Sequence, residues 1–214
     1  MTPDELRNTA VAQRQAEERY QARVHVCVAA SCLSCGADRV QQALQKQVAE
    51  EGLKDVCRVK GVGCLGLCSA GPLVRVEPDG VLYQHVRPEH VAEIVSSLDT
   101  GRTVDDLIFP TSHPFFARQH KIALENSGRV DPEQLNDAIA AGGYEALGGA
   151  LTELSPREVI REVVQRGLRG RGGGGYPTGL KWTTVEKASA PEKYVICNAD
   201  EGDPGAFMDR ALLE

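Results

Sequence analysis

No stretch of this 214-residue sequence approaches the about eighteen uninterrupted apolar residues that a membrane-crossing helix requires. Direct membrane insertion is therefore not expected. The first residues, MTPDELRNTAVAQRQAEERYQ, are polar and charged and contain no secretory h-region, so the expected compartment is the cytoplasm. There is no Lys/Arg block of the kind that tracks a phosphate backbone, and the formal net charge is -6, so nucleic acid is not an expected partner. Internal repeats and low-complexity tracts are missing too.

What is present is ordinary in bulk and unusual in detail. With 42% apolar and 25% charged residues, the chain can bury a core as one large domain or two small ones. Its seven cysteines, an odd count in a reducing compartment, read as metal ligands, reactive thiols or small core residues rather than disulfides.

Residues 1–21, rich in Gln, Glu, Ala and Arg, read as a solvated helix available to a partner. Arg23 to Val28 alternates Val24, Val26 and Val28 on one face with Cys27 on the other, a strand running into a loop that holds Cys32 and Cys35. From Asp38 to Glu51, Val40, Ala43, Leu44 and Val48 recur at helical spacing, and Gly52 is a natural stop. Val56 to Val59 reads as a second strand. Leu73 to Val76 and Val81 to Tyr83 read as a hairpin about Pro78-Asp79-Gly80, and Pro88 to Leu98 as a helix. The order βα, β, ββ, α is that of a thioredoxin-like domain over 22–100.

Periodicity is lost over 101–115, where Gly101, Pro110 and Pro114 mark a linker, and a second domain is placed at 116–214. Asp131-Pro132-Glu133-Gln134 and Ser155-Pro156-Arg157-Glu158 carry helix-start signals, the first helix closing at Gly142 and Gly143. The second helix is expected to turn Val159, Ile160, Val163 and Val164 inward and to end at Gly167. Tyr194 to Cys197 reads as a short strand with Asn198, Asp200 and Glu201 at its end.

Cys27-x4-Cys32 and Cys64-x3-Cys68 flank the first helical stretch and its strand. A [2Fe-2S] cluster needs four thiolates converging on two irons in a pocket where backbone amides reach the sulfurs, and these four meet that demand. The loop VKGVGCLGLCSAGP is dense in glycine, which lets the backbone wrap closely round inorganic sulfide. Rival uses exist. Cys27-x4-Cys32-x2-Cys35 matches the opening of a plant-type ferredoxin, Cys32-x2-Cys35 resembles a thioredoxin dithiol, and Cys32, Cys35, Cys64 and Cys68 suit zinc. Cys57 and Cys197, within and at the end of strands, read as small core residues.

The run GLRGRGGGGYPTGLKW satisfies G-x-G-x-x-G through Gly170, Gly172 and Gly175, but it follows a helix and has no acidic residue at the expected distance, so a standard dinucleotide fingerprint is excluded. What remains is a cradle. Gly170, Gly172, Gly173, Gly174 and Gly175 leave backbone amides free for phosphate or ring oxygens, Arg169, Arg171 and Lys181 add positive charge, and Asn198, Asp200 and Glu201 offer polar groups to a flavin or nicotinamide. The plain alternative is a flexible loop beside a solvated acidic turn.

GLRGRGGGGYPTGLKW followed by YVICNADEGDPGAFMDR resembles the FMN- and NADH-binding flavoprotein subunit shared by respiratory complex I, NAD-reducing hydrogenases and NAD-dependent formate dehydrogenases. HPFFARQHKIALENSGRVDPEQLNDAIAAGGYEAL resembles the segment leading into that domain, and the N-terminal half resembles the thioredoxin-like [2Fe-2S] module of the same systems. Fusion of the two, with CVAASCLSCG and DEGDPGAFMDR, is most similar to the diaphorase flavoprotein subunits of bidirectional NAD-reducing hydrogenases, the formate dehydrogenase subunit following closely.

The resemblance implies an α/β chain: a thioredoxin-like [2Fe-2S] ferredoxin domain followed by the N-terminal part of an FMN/NADH-binding domain. It assigns the cluster to Cys27, Cys32, Cys64 and Cys68, with Cys35 outside the set. FMN and NAD(H) fall to Gly170, Arg171, Gly172, Gly173, Gly174, Gly175, Lys181, Asn198, Asp200 and Glu201, with Glu201 shaping the nicotinamide side. Gly174 and Tyr176 replace the family's alanine and phenylalanine without removing a backbone donor or an aromatic face. The implied partners are an iron-sulfur diaphorase subunit and hydrogenase or formate dehydrogenase subunits. Because the family continues with the rest of the flavin pocket and a [4Fe-4S] domain, the expectation is a C-terminally truncated chain that holds FMN poorly by itself. A ferredoxin-like adaptor and a dithiol oxidoreductase using Cys32 and Cys35 are the functions of other classes.

Overall fold

The structure is a computed structural model that describes residues 1–98 and 100–213. The chain divides into two compact units, one formed by Thr9–Ala141 with Asp200–Glu214 and the other by Met1–Asn8 with Gly142–Ala199.

The first unit is built on a four-stranded mixed sheet. Helix α1 (Pro3–Glu18) precedes β1 (Ala22–Cys27), the short α2 (Ala30–Ser34) and α3 (Ala37–Glu50). Then come β2 (Cys57–Val62), β3 (Val74–Glu77), β4 (Val81–Tyr83) and α4 (Val91–Ser97). The spatial order is β2-β1-β3-β4, with β1 parallel to β2 and the other neighbours antiparallel. A parallel pair needs a crossover, and α3 supplies it. Val24 and Val26 of β1 share a buried core with Val74 and Val76 of β3, with Val40, Leu44 and Val48 of α3, and with Val91, Ile94 and Val95 of α4. Leu44 is fully buried; losing such a side chain costs about 2–5 kcal/mol.

The opposite face of the sheet is polar and also covered. Arg23 and His25 of β1 and Arg58 and Lys60 of β2 project there in register. Gln13 and Glu17 of α1 and Asp137 of α6 (Leu135–Ala140) meet them. Lys60 pairs with Asp137 and lies 3.8 Å from Glu17, Glu17 reaches Arg58 at 2.7 Å, and Gln13 Nε2 donates to Asp137 Oδ1 at 2.7 Å. Lys60 and Asp137 are 9% and 4% exposed, so each charge depends on the other. Burial pushes the Asp137 carboxyl up, but the bonds from Lys60, the Asp131 amide and Gln13 outweigh it and hold the carboxyl below its ordinary value. Residues 1–21, read as a solvated helix, thus contribute buried contacts through the second half of α1.

Two segments depart from the expected boundaries. Residues 101–115 are not a free linker: Val104 and Leu107 are buried in the sheet's core, Tyr83 bridges Ile108, and Phe109 N donates to Leu82 O at 2.7 Å. Apolar side chains at Val104, Leu107, Ile108 and Phe109 outweighed the proline and glycine signals around them. Residues 116–141, read as part of the second domain, lie in the first unit; Phe116 of α5 (Pro114–Ala117) packs against its core. The helix expected at Pro132 starts only at Leu135, because Asp131 uses its carboxylate on the Glu133 amide at 3.0 Å in a turn.

The second unit holds α7 (Glu145–Glu153), α8 (Pro156–Gln165) and α9 (Thr178–Lys187). Ser155 and Glu158 close a capping box at α8, with Pro156 at its first turn, as expected. Helices α8 and α9 approach closely because Gly179 has no Cβ: one there would sit 3.1 Å from the Val164 backbone. The face expected inward is only partly covered, with Val159, Ile160 and Val163 half-buried and Val164 exposed. Tyr194–Cys197 forms no strand; Tyr194, Val195 and Ile196 are exposed and have no neighbouring strand among the described residues. A strand without a partner has no ladder to satisfy its backbone. The last helix, α10 (Met208–Leu213), falls in the first unit.

Candidate functional site

Strand β1 ends on Cys27, and the chain turns at once into α2, which carries Cys32 inside a helical turn rather than in the expected loop. Strand β2 runs three residues further than its sequence pattern suggests and delivers Cys64, and Cys68 opens a single 3-10 turn, Cys68–Ala70. Cys27 and Cys32 are buried, Cys64 is half-buried and Cys68 is exposed.

The four sulfurs neighbour one another in a chain, Cys32 to Cys27 to Cys64 to Cys68. Cys64 donates towards Cys27 and Cys27 towards Cys32, with Cys68 bonded to Cys64. The bond to Cys32, joined by burial, pushes the Cys27 thiol up to about 11. Cys64 is pushed up as well, through its bond to Cys27 and its burial. Cys32 moves the opposite way, because the Cys27 thiol donates to it. Of Cys27, Cys32 and Cys64, Cys32 is thus the sulfur that loses its proton most readily, and metal binding would release the protons of Cys27 and Cys64.

The backbone is arranged for negative sulfur. Gly66 N donates to Cys64 Sγ at 3.3 Å, and the amides of Leu65 and Leu73 bond to Cys27 and Cys32. A Cβ on Gly71 would lie 3.0 Å from Cys32 Sγ, so this glycine gives the sulfur its room. Among the described residues no three His, Cys, Asp or Glu side chains surround a single point as a mononuclear zinc site requires. A [2Fe-2S] cluster asks instead for two thiolates per iron with amides on the sulfurs, and these residues fit that demand. Cys35 is exposed at the C-terminal cap of α2 and takes no part in the chain of thiol bonds described above. Cys57 is a core residue as expected, whereas Cys197 is exposed and belongs to no strand.

The glycine run closes on itself between α8 and α9. Arg169 bridges Pro177, Gly170 N donates to Tyr176 O at 2.8 Å, Thr178 N donates to Leu168 O at 2.9 Å, and Arg169 Nη1 reaches Gly175 O at 2.9 Å. Gly173 and Gly175 have φ of +96° and +58°, and a Cβ at any of Gly172 to Gly175 would meet open space. The protein itself does not crowd these glycines, so what their missing side chains provide is an open approach to the main chain. The loop feeds the N-terminus of α9, where the amides of Thr178, Leu180 and Lys181 are taken by Leu168 O and Pro177 O, so this end offers an anion the helix dipole and the Lys181 charge. Reading the sequence missed α9, since Gly179 and the β-branched Thr183 and Thr184 mask its period.

Asn198 lies in the same unit as this loop, while Asp200 and Glu201 group with the sheet's unit. There Glu201 Oε1 accepts from Asp209 N at 2.8 Å and Arg210 N at 3.2 Å, capping α10.

Two family models match the chain: thioredoxin-like [2Fe-2S] ferredoxin over residues 12–99 and Nuo51 FMN-binding domain over residues 163–214. The NADP-reducing hydrogenase subunit HndC of Solidesulfovibrio fructosivorans is 54% identical over 97 residues, 45% of this chain and 19% of that protein. The NAD-reducing hydrogenase HoxS subunit alpha of Cupriavidus necator is 31% identical over 198 residues, 89% of this chain and 32% of that protein. The thioredoxin-like [2Fe-2S] ferredoxin of Aquifex aeolicus, as a crystal structure, has a TM-score of 0.40 at 33% identity, covering 42% of this chain and 98% of that one. The chain spans 19% and 32% of the length of the two curated relatives. By its matched segments, the chain carries a thioredoxin-like [2Fe-2S] ferredoxin domain over 12–99 and part of a Nuo51 FMN-binding domain over 163–214.

Proposed function

We propose that this chain serves as the NAD(H)-linked electron-transfer subunit of a hydrogenase-type complex, with hydride exchange between NAD(H) and FMN and single-electron relay through iron-sulfur clusters. The observation that carries this reading is the convergence of Cys27, Cys32, Cys64 and Cys68 under backbone amides, on the same chain as an FMN-binding segment. Likeness to HoxS subunit alpha along both halves favours a hydrogenase over a formate dehydrogenase as terminal partner.

When bound, FMN exchanges a hydride with the nicotinamide and single electrons with a [2Fe-2S] cluster, which carries one electron at a time. The chain's own part is holding and electrostatics. Cys27, Cys32, Cys64 and Cys68 supply the thiolates, and the amides of Leu65, Gly66 and Leu73 offset the negative charge gathered there. The Gly170 amide closes the loop on Tyr176 O, and the amides of Gly172 to Gly175, with Arg171 and Lys181, hold the anionic part of a flavin or nicotinamide nucleotide beside Gly170. Asn198 and Asp200 serve the polar edges of those groups, and Glu201 the nicotinamide side. The partners are an iron-sulfur diaphorase subunit and hydrogenase subunits, and the compartment is the cytoplasm. Among the described residues no helix is long and apolar enough to cross a membrane.

Anaerobic NADH titration of the protein in its native complex, followed by EPR, tests the reading. NADH should reduce the [2Fe-2S] signal. A cluster that dithionite reduces and NADH does not would replace this reading with an adaptor that has no nicotinamide chemistry of its own.

A further inference from the structure

The ferredoxin family match ends at residue 99, yet the loop that carries Cys64 is closed over by residues beyond it. Ser127–Val130 lie against that loop. Gly63 N, next to Cys64, donates to Val130 O at 3.1 Å. Gly128 is buried with a φ of +80°, and a Cβ there would fall 2.6 Å from Leu65 Cδ2 and 3.5 Å from Cys64 O. Leu65, the residue between Cys64 and Gly66, is only 6% exposed. Its amide bonds to the Cys27 sulfur, and the next amide donates to Cys64. The position of Leu65 therefore fixes two of the three amides aimed at sulfur.

The far end of this segment is tied to the same strand. Asp131 N donates to Asp137 Oδ2 at 3.2 Å, and Asp137 pairs with Lys60 of β2, the strand that delivers Cys64. The segment is thus held at Gly63 and again through Lys60, with Gly128 pressed on Leu65 between the two anchors.

We infer that Ser127–Val130 is a strap that positions the Cys64 ligand loop, and that Gly128 is a positioning residue acting through Leu65 on the sulfur-facing amides. The inference rests on the [2Fe-2S] reading of the four cysteines. A methyl group at Gly128 must displace the Leu65 side chain, whose buried seat sets where the amides of Leu65 and Gly66 stand. Outer partners of this kind typically alter metal retention by about ten- to a hundredfold when removed.

The test compares the 214-residue chain with Gly128→Ala, Leu65→Ala and the double variant. The readouts are the g-values of the dithionite-reduced cluster and the rate at which EDTA strips iron. Gly128→Ala should shift the g-values and lose iron about tenfold faster. The double variant, in which shortening the side chain at position 65 makes room for the added methyl group at position 128, should return close to the parent. A parent-like Gly128→Ala variant would overturn the strap. So would a double variant as impaired as Gly128→Ala, because the effect would then be the strain of alanine at positive φ rather than contact with Leu65. If the parent takes up neither iron nor sulfide, the cluster reading fails by itself, and the strap is read from Cys64 alkylation by iodoacetamide in the metal-free chain. Alkylation about tenfold faster in Gly128→Ala supports the strap, and equal rates overturn it.

Discussion

Gly66 donates its backbone amide to the Cys64 sulfur at 3.3 Å, two residues along the same loop. A neutral thiol gains little from such a bond, and a thiolate carrying metal gains more, since charge-assisted hydrogen bonds are about twice as strong. The Gly66 amide thus favours the deprotonated state of Cys64, against the burial and the bond to Cys27 that push its thiol up.

Gly71 tests the room left for the sulfurs. Its backbone has an ordinary φ of -69°, so alanine brings no conformational strain, only a Cβ 3.0 Å from Cys32 Sγ and 3.4 Å from Cys68 O. Gly71→Ala should leave the far-ultraviolet circular dichroism unchanged and lower iron retention about tenfold. Full iron content with parent-like retention would show that the cysteines do not need this space.

Lys60 and Asp137 form the buried pair beneath the sheet. Lys60→Met should cost about 3–5 kcal/mol in urea unfolding, because it leaves the buried Asp137 without its cation, whereas Glu17 keeps Arg58. Restoring an apolar match with Asp137→Leu should recover part of that loss. The Asp137 carboxyl is held below its ordinary value, so the stability from this group is present at neutral pH and is lost as pH falls below about 4.

His25 sits on the same polar face, facing Lys60, Arg23, Arg75 and Asp137. Burial, reinforced by the three cations, lowers its pKa from 6.5 to about 4. Between those values the unfolded chain binds the extra proton, so stability falls as pH falls through this window. From pH 7 to pH 5 the loss should be about 2 kcal/mol, and His25→Gln should flatten that slope. An imidazole titration by NMR with a midpoint near 6.5 would contradict the neutral, buried histidine.

Glu201 bonds to the amides of Asp209 and Arg210, so its role must be separated from its capping. Glu201→Gln keeps a carbonyl oxygen for both amides and removes the charge. If the carboxylate acts on the nicotinamide side, Glu201→Gln should lower kcat with NADH by about tenfold or more without altering the cluster's EPR spectrum. Unchanged turnover would confine Glu201 to the α10 cap.

The parts of the fold that were legible in the sequence are those specified by local chemistry. The alternation of Val24 and Val26, the helical spacing of Val40, Leu44 and Val48, and the Pro78-Asp79-Gly80 turn lead directly to β1, α3 and the β3–β4 hairpin. The Ser155–Glu158 capping box is equally local. The polar face of the sheet was not legible, because Arg58, Lys60 and His25 alternate as a solvent-facing row would, and only α1 and Asp137 from a distant segment reveal that the row is covered. Helix α2 is too short to show a period, and the strand expected at Tyr194–Cys197 found no partner. At the site, the four cysteines could be named from spacing and resemblance, while the covering of Leu65 by Gly128 depends on contact between residues more than sixty positions apart.

The cluster itself is tested most directly by iron and acid-labile sulfide per chain on anaerobically purified protein, with EPR after dithionite reduction, repeated on Cys64→Ser. Two irons, two sulfides and a reduced-cluster signal that is lost or altered in Cys64→Ser are the expected result. Protein that stays iron-free through reconstitution and holds zinc, or a reducible dithiol at Cys32 and Cys35, would contradict it.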